Sequence, residues 1–386
     1  MKILYIWHGA VEKAYRKIFA AMTKQGHEIH LITAHRWTEA SRDQRCTTHE
    51  ENGYKIYPLR VAFRNHIRSF FFLSIGKMIH LLKTLRPEVV YIKEEPYSLA
   101  CFQTVSLIRL FSPQSKVIVE SDENMNTHHP WLYRQTERFV FQHIHGIASV
   151  PTAGIDLYKQ KGFCGKQWKT SYFVDTEIFH QVDKEKAERV FPEINHPALR
   201  IGYVGRITAE KGLDTALAAL QHLLDQGNEA HLYILGKMAE EYASQFSLLL
   251  RSPSLQSHVH VLSPRPVEDL VFFYNAIDVL VLPSRSTSWW IEQFGRVIVE
   301  AMACGTPVIG SSSGEIPYVI GKSDWIFPEG DVDKLLDIFL QFAQGKWKKD
   351  NIATEVIERI QKNFSIPAVA SQKLSLMQEI LSQKEK

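Results

Sequence analysis

Two glutamates eight residues apart are the strongest candidates for ligand binding. Glu300 lies in an apolar segment, 294–304, whose composition predicts a buried helix that ends at Gly305. A buried carboxylate needs a partner, because an unpaired buried charge is strongly unfavourable. Arg296 is one possible partner, although a cation placed before an anion is the weaker order for such a pair on a helix. The other is a ligand with paired hydroxyls, such as a ribose, and Glu292 lies in the loop just before this helix.

Two further features predict an anion site. The first backbone N–H groups of the helix, at Phe294 and Gly295, have no helical partner and favour phosphate. A second strand-to-helix loop, which begins at Gly205, places Arg206 and Lys211 close to a helix start. Taken alone, these two cations are equally consistent with solvated loop charges; beside the two glutamates, they favour a phosphate site.

The elements that must position these residues alternate between strand and helix, which predicts an α/β protein. We expect helices at 11–25, 70–84, 213–224, 267–277, 334–342 and 368–382. Strands are expected at 2–7, 27–33, 54–59, 88–92, 116–119, 146–150, 170–174, 199–204, 231–235, 258–262, 278–283, 308–310 and 324–327. Asp331 and Asp333 resemble a metal-binding pair, but their position before a helix favours an N-terminal cap.

Length and composition limit the alternatives. A chain of 386 residues suggests two domains. Its formal net charge of +3 argues against general binding to nucleic acid. The four cysteines show no paired spacing, so neither a disulfide framework nor a zinc site is expected from them. No apolar run is long enough to span a bilayer, and the sequence predicts a cytoplasmic protein.

The segment EQFGRVIVEAMACGTPVIGSSSGEIPYVIG, which begins at Glu292, resembles the donor-site signature of the retaining glycosyltransferases of family four, within glycosyltransferase group 1. The resemblance is strong over 199–327 and weaker over 1–179. It implies the GT-B fold, in which two Rossmann-like domains face each other across a cleft. It also implies that the enzyme needs neither a metal nor another cofactor, and that a nucleotide-sugar is the co-substrate.

By this resemblance, Glu292 contacts the donor sugar and Glu300 contacts the ribose. Arg206 and Lys211 bind the diphosphate, beside Gly205, and the loop at Arg265 holds the base. The catalytic residues are then Glu292, Lys211 and Arg206, and the backbone at Phe294 and Gly295 completes the donor site. We expect a domain for the acceptor at 1–180, a nucleotide-sugar domain at 181–365, and a helix at 366–386 that packs back on the first domain.

Candidates for acceptor binding lie in the first half of the chain. Gly9 follows the first strand, where the family usually has two adjacent glycines. The polar loop 120–130 follows another strand, at the end where α/β sheets bind ligands. Its candidates are Asp122, Glu123, Asn124 and His129, and they are equally consistent with capping of the next helix.

The segment 60–86 has six Lys and Arg residues, interleaved phenylalanines and no acid. An amphipathic helix with a solvated basic face explains this composition. Contact with the anionic inner face of a membrane, or docking of an anionic acceptor, explains it as well.

These features together predict an enzyme that transfers a sugar, with retention of configuration, from a nucleotide-sugar to a saccharide or lipid-linked acceptor. Synthesis of a cell-surface polysaccharide or glycolipid is the expected context. A GT-B nucleotide-sugar epimerase and a non-catalytic nucleotide-sugar-binding protein are the alternatives.

Overall fold

The computed structural model describes residues 1–39 and 42–382, so the last four residues of the predicted 366–386 segment lie outside it. The chain divides into two compact units. Unit 1 comprises Met1–Ser171 and the chain from Ile366 onward, and unit 2 comprises Tyr172–Ser365. The division falls before the boundary at 181 that the sequence predicts.

Unit 1 contains an eight-stranded sheet in which all neighbours are parallel except the last pair. Its strands are rich in Val, Ile and Leu, as expected for strands buried on both faces. The strands of unit 1 are β1 (Lys2–Ile6), β2 (Glu28–Ala34), β3 (Arg36–Glu39), β4 (Arg42–Arg45), β5 (Glu50–Glu51), β6 (Tyr54–Leu59), β7 (Val61–Ala62), β8 (Phe71–Phe72), β9 (Val89–Ile92), β10 (Lys116–Ser121), β11 (Gly146–Ser149) and β12 (Lys166–Lys169). The order in the sheet is β12-β11-β10-β9-β1-β2-β6-β5, and β3-β4 and β7-β8 form two small antiparallel pairs.

The first helices of unit 1 are α1 (Lys17–Lys24), α2 (Ile75–Leu85), α3 (Leu99–Phe111), α4 (Trp131–His143) and α5 (Thr152–Gln160). Two sequence predictions are wrong here. The helix expected at 70–84 begins at Ile75, because Phe70 and Phe72 turn into the core where β8 pairs with β7. The strand expected at 170–174 is instead β12, whose polar composition suits the sheet edge it occupies.

The helix expected at 11–25 is also shorter than predicted. Two 3₁₀ turns, His8–Val11 and Lys13–Arg16, precede α1. Glu12 between them has extended backbone angles, which interrupt a continuous helix.

Unit 2 contains a six-stranded parallel sheet of order β15-β14-β13-β16-β17-β18. Its strands are β13 (Leu199–Val204), β14 (Ala230–Leu235), β15 (Val259–Leu262), β16 (Val279–Leu282), β17 (Val308–Ser311) and β18 (Ile326–Phe327). Its helices are α6 (Lys184–Val190), α7 (Leu213–Asp225), α8 (Glu240–Leu249), α9 (Pro253–His258), α10 (Leu270–Ala276), α11 (Arg296–Ala303), α12 (Ile316–Ile320), α13 (Val332–Ala343) and α14 (Lys349–Asn363).

Helix termini in unit 2 follow from local sequence. Asp331 precedes α13, and its side chain accepts a hydrogen bond from the backbone N–H of Lys334 at 2.9 Å, as an N-cap residue does.

The last helix, α15 (Ile366–Ser382), returns to unit 1 and packs against α1 and β10. None of the helices within 1–39 and 42–382 combines the length and apolar character that crossing a bilayer requires.

Candidate functional site

Two loops of unit 2 leave the carboxyl edge of the sheet side by side. Strand β13 pairs with β14 on one side and with β16 on the other, so the order of strands reverses there. Open α/β sheets bind ligands at such a switch point. The predicted anion loop, 205–212, follows β13, and the loop that contains Glu292 follows β16.

Gly212 brings these two loops into contact. Its φ is +68°, in the left-handed region, and a Cβ atom there would lie 2.0 Å from the carbonyl oxygen of Pro283. Beside it, the N–H of Arg285 donates to the carbonyl oxygen of Glu210 at 2.8 Å. Lys211 is therefore held against the loop that follows β16.

Lys211 and Glu292 form an ion pair at this contact. The Nζ of Lys211 lies 2.7 Å from Oε2 of Glu292, and the Ser284 hydroxyl donates to the same oxygen at 3.1 Å. The Lys211 ammonium also lies 4.3 Å from the centroid of the Trp290 ring, which adds a cation–π contact. The two charged side chains are only 14% and 12% exposed, so water screens their interaction less than it does at an open surface.

The backbone of Glu292 is fixed by the turn after β17. The carbonyl oxygen of Glu292 accepts a hydrogen bond from the N–H of Glu315 at 3.1 Å. Gly314 has a φ of +52°, and a Cβ atom there would lie 2.0 Å from the same oxygen. The carboxylate is thus presented from a loop that is held at both its backbone and its side chain.

Arg206 lines an open hollow next to this ion pair. Its side chain is 68% exposed, with Glu210 3.8 Å away. The hollow has a volume of about 280 Å³, and Thr208 and Lys237 also line it. The Thr208 hydroxyl is buried and has no hydrogen-bond partner among the described residues. Two cations and an unused hydroxyl can bind an anionic ligand, although Glu240 and Glu241 also line the hollow.

Glu300 has a partner that the sequence did not reveal. The hydroxyl of Tyr274 donates to Oε2 of Glu300 at 2.7 Å. Burial raises the pKa of Glu300, and the Tyr274 hydrogen bond and the charge of Arg296 oppose that rise. The guanidinium of Arg296 itself lies 4.8 Å from the centroid of the Tyr172 ring.

The remaining predicted donor residues lie in different surroundings. The Phe294 ring is buried against Tyr172, with ring centroids 5.2 Å apart, so only its backbone can face a ligand. Gly295 is the residue before α11. The N–H of Gly205 donates to the carbonyl oxygen of Leu235 at 3.1 Å, which ties the anion loop to β14. The exposed Arg265 lies 3.9 Å from Glu193 and over the ring of Phe191.

Unit 1 has its own switch point, where β1 lies between β9 and β2. His8, in the loop after β1, is held by Glu94, in the loop after β9. The His8 backbone N–H donates to one Glu94 oxygen at 2.7 Å, and its Nδ1 lies 2.6 Å from the other. Gly9 is buried in the same 3₁₀ turn, and its carbonyl oxygen accepts from the N–H of Glu12 at 3.2 Å.

The loop that follows β10 places the other acceptor candidates. Glu123 is buried and lies 2.7 Å from Nζ of Lys161 and 3.3 Å from Nε2 of His129. Burial would raise the pKa of Glu123, but these two partners lower it below its ordinary value. Asp122 and Asn124 are half-buried in the same loop. Capping does not explain the loop, because α4 begins after Pro130 with no side-chain cap.

Two further glutamates in unit 1, the half-buried Glu95 and the buried Glu120, were not predicted as site residues. Burial and the charge of Asp122 raise the pKa of Glu95 to about 8. Glu120 is buried between Lys93 and Lys373 and accepts a hydrogen bond from the Tyr91 hydroxyl at 2.6 Å. Burial alone would raise the pKa of Glu120, but the two lysines bring it down to about 2.

Comparison with known proteins bears directly on unit 2. Residues 184–360 match the family model of glycosyl transferases group 1. These residues form a group 1 glycosyl transferase domain.

Relatives of known name extend this result. The D-inositol 3-phosphate glycosyltransferase of Corynebacterium jeikeium is 33% identical over 171 residues, which are 40% of this chain and 39% of that protein. The amylovoran biosynthesis glycosyltransferase AmsK of Erwinia amylovora is 30% identical over 168 residues, which are 43% of this chain and 41% of AmsK. The chain thus spans about two fifths of the length of these curated relatives.

The solved structure of Anabaena HepE in complex with UDP matches 98% of this chain and 100% of its own, with a TM-score of 0.70 at 14% identity. The fold of the chain is GT-B, as predicted. The predicted donor residues, from Gly205 to Glu300, all lie within the glycosyl transferase domain. The acceptor candidates, Gly9 and the residues after β10, lie outside the matched range.

Proposed function

We propose that this protein is a retaining glycosyltransferase that moves a sugar from a nucleotide-sugar to a saccharide or lipid-linked acceptor. The observation that carries the proposal is the Lys211–Glu292 ion pair at the carboxyl-edge switch point of a group 1 glycosyl transferase domain. The names of the matched relatives favour glycoconjugate synthesis, and amylovoran biosynthesis in AmsK favours a cell-surface polysaccharide.

Donor binding follows from the contacts in unit 2. The diphosphate takes the charges of Arg206 and Lys211, with the Thr208 hydroxyl as an additional donor. The ribose hydroxyls donate to Glu300, which uses one oxygen for Tyr274 and has its other oxygen for the ligand. The backbone at Phe294 and Gly295 faces the donor, and the loop at Arg265 holds the base. UDP-sugars are the first donors to test, because the HepE structure contains UDP.

The same residues assist the chemistry. Negative charge develops on the diphosphate as the bond between the sugar and its oxygen breaks, and a fixed cation stabilises that charge more than water does. Lys211 is already fixed by Glu292 and Trp290 before the donor arrives. We propose that the acceptor hydroxyl attacks on the face from which the diphosphate departs and passes its proton to the diphosphate. These residues supply the needed charge, so no metal or other cofactor is included in the proposal.

The acceptor is proposed to bind unit 1, at its switch point. His8 and Glu94 form a buried hydrogen-bonded pair there, and Asp122 lies in the loop that follows β10. Glu95 accepts a hydrogen bond from the N–H of Asp122 at 3.0 Å. Burial and the charge of Asp122 raise the pKa of Glu95 to about 8, which favours its protonated form near neutral pH.

A lipid-linked acceptor requires access to a membrane, and unit 1 has a suitable surface. We define the apolar patch as Phe63, Ile67, Trp131 and Leu132, all exposed; Phe63 is 59% and Trp131 66% exposed. The patch comes from two segments of the chain, 63–67 and 131–132. These segments lie close together, because the Ser69 hydroxyl is 2.7 Å from the Tyr133 hydroxyl.

Exposed cations lie close in sequence to the residues of the apolar patch, at Arg60, Arg64, Arg68 and Arg134. Apolar side chains within a basic surface favour contact with anionic lipid. We therefore propose a cytoplasmic protein that binds the inner face of a membrane peripherally. The presence of free cysteines, of which Cys46, Cys101 and Cys304 are buried, supports a reducing compartment.

Release of nucleoside diphosphate from a panel of UDP-, GDP- and ADP-sugars, with and without simple saccharide acceptors, tests the proposal. We expect slow release from one donor, faster release with an acceptor, and loss of both in Lys211→Ala. The anomeric configuration of the product, determined by NMR, tests retention. Conversion of the donor without diphosphate release would identify an epimerase. Tight binding with no turnover for any acceptor would favour a binding protein.

A further inference from the structure

Four histidines gather at the amino edge of the unit 2 sheet. The ring centroid of His231 lies 4.0 Å from that of His196, 4.9 Å from that of His258 and 5.2 Å from that of His260. His231 is the second residue of β14 and His258 is the last residue of α9. The predicted anion loop, 205–212, contacts the other end of β14, at Leu235. The histidine cluster is therefore separate from the proposed donor site.

A carboxylate completes the cluster. Glu229, His231 and His258 each offer one ligand atom, and these atoms all lie within 4.8 Å of one another. Nε2 of His258 lies 3.6 Å from Oε2 of Glu229. A tetrahedral zinc ion with bonds of about 2.1 Å places its ligand atoms about 3.4 Å apart. All three atoms lie within 4.8 Å of one another, so binding of the ion would draw them closer by rotation of the imidazole rings and of the exposed Glu229 side chain.

The hydrogen bonds around the rings favour a cation. Nδ1 of His258 lies 2.7 Å from the carbonyl oxygen of Ser254, so this nitrogen carries the proton and Nε2 has a free lone pair toward Glu229. Metal-binding histidines usually have this second hydrogen bond, which orients the ring. His231 is supported in the same way, since its Nδ1 lies 3.0 Å from Nε2 of His260.

We propose that Glu229, His231 and His258 bind one zinc ion, with water in the fourth position. The site joins the end of α9 to the start of β14, so its expected role is to stabilise unit 2. This site is unrelated to the metal-independent chemistry proposed above.

Calorimetric titration of untagged, chelator-treated full-length protein with zinc chloride tests the proposal. We expect one equivalent to bind to the wild type, and magnesium not to bind. His258→Ala should weaken binding about a hundredfold, and His260→Ala, which removes only the support of His231, about tenfold. His222→Ala is the control, because His222 is exposed on α7 in the same unit.

Thermal unfolding gives a second readout. Zinc should raise the unfolding temperature of the wild type and of His222→Ala, but not that of Glu229→Gln or His258→Ala. Glu229 is exposed, so Glu229→Gln should unfold like the metal-free wild type and shows that lost binding is not lost folding. Absence of a one-equivalent zinc isotherm in the wild type would overturn the proposal. Unchanged binding in both His258→Ala and Glu229→Gln would overturn it too.

Discussion

Replacing Glu300 by glutamine tests the ribose contact directly. The carboxylate uses Oε2 for the Tyr274 hydroxyl at 2.7 Å, so Oε1 remains for the ribose. Glutamine keeps one accepting oxygen but loses the charge. A hydrogen bond to a charged group contributes about 1.5–3 kcal/mol, against about 0.5–1.5 kcal/mol for a neutral one. The difference predicts that nucleoside diphosphate binds more weakly by about 1–1.5 kcal/mol, or about 5- to 13-fold.

The pH dependence of this effect distinguishes the ribose contact from a loss of packing. Burial raises the pKa of Glu300, and ligand hydroxyls favour its ionised form. The affinity of the wild type for nucleoside diphosphate should therefore fall as the pH is lowered toward that raised pKa. Glu300→Gln should lack the part of the pH dependence that comes from Glu300. The ratio of the two affinities cancels the titration of the diphosphate itself.

Isothermal titration with UDP, GDP and ADP between mildly acidic and neutral pH measures both effects. Glu355→Gln is the control, since Glu355 is an exposed glutamate of unit 2 whose partner is Lys322. Equal affinity of wild type and Glu300→Gln for the bound nucleotide at every pH would refute the ribose assignment. If Glu300→Gln lowered the nucleotide affinity by the same factor at every pH, the loss would be due to packing instead.

Three other measurements address separate features. Lys211→Ala should lower turnover about a hundredfold or more, because it removes a fixed cation that stabilises the charge developing on the diphosphate. Lys184→Ala, at an exposed lysine, should leave turnover unchanged. Near-normal turnover of Lys211→Ala would exclude Lys211 from the mechanism. Co-sedimentation should show that the protein binds anionic vesicles and that salt weakens this binding. The double variant Phe63→Ser, Ile67→Ser should bind less, whereas Leu248→Ser, at another exposed leucine, should bind like the wild type. Equal binding to neutral vesicles would contradict an electrostatic contribution. Glu120 has a folded-state pKa of about 2, below its ordinary value of 4.5, so its contribution to stability is complete above pH 4.5 and is lost as the pH falls toward 2. Acid unfolding of Lys373→Met should therefore show a smaller change in unfolding free energy over that range, and an unchanged slope would show that Lys373 does not set this pKa.

Most of the unit 2 fold could be predicted from local sequence, because its signals are local. The strand predicted at 199–204 is β13, and the apolar segment at 278–283 contains β16. Gly305 ends α11 with a φ of +76°, as a glycine after a helix does. Each of these features depends on residues within a few positions of one another, which is the range that periodicity and capping rules cover.

Contacts between distant residues could not be predicted in this way. Tyr274 lies 26 residues before Glu300, and the sequence indicated only that Glu300 needed a partner. Glu120 and Lys373 are separated by 253 residues and meet because α15 returns to unit 1. The histidine cluster was missed for the same reason, since adjacent parallel strands and α9 bring its members together. The roles assigned to individual donor and acceptor residues remain predictions.

In the proposed donor site, the ion pair between Lys211 and Glu292 would let unit 2 hold an anion site ready without a large electrostatic cost. A half-buried lysine aimed at an empty phosphate site would be unfavourable, and Glu292 compensates it until a donor arrives. In this proposal, the diphosphate takes the Lys211 charge, and Glu292 keeps the hydrogen bond from Ser284 and gains acceptor capacity for sugar hydroxyls. Binding of the diphosphate and recognition of the sugar are then coupled through one exchange of partners, which favours the intact nucleotide-sugar over either of its parts.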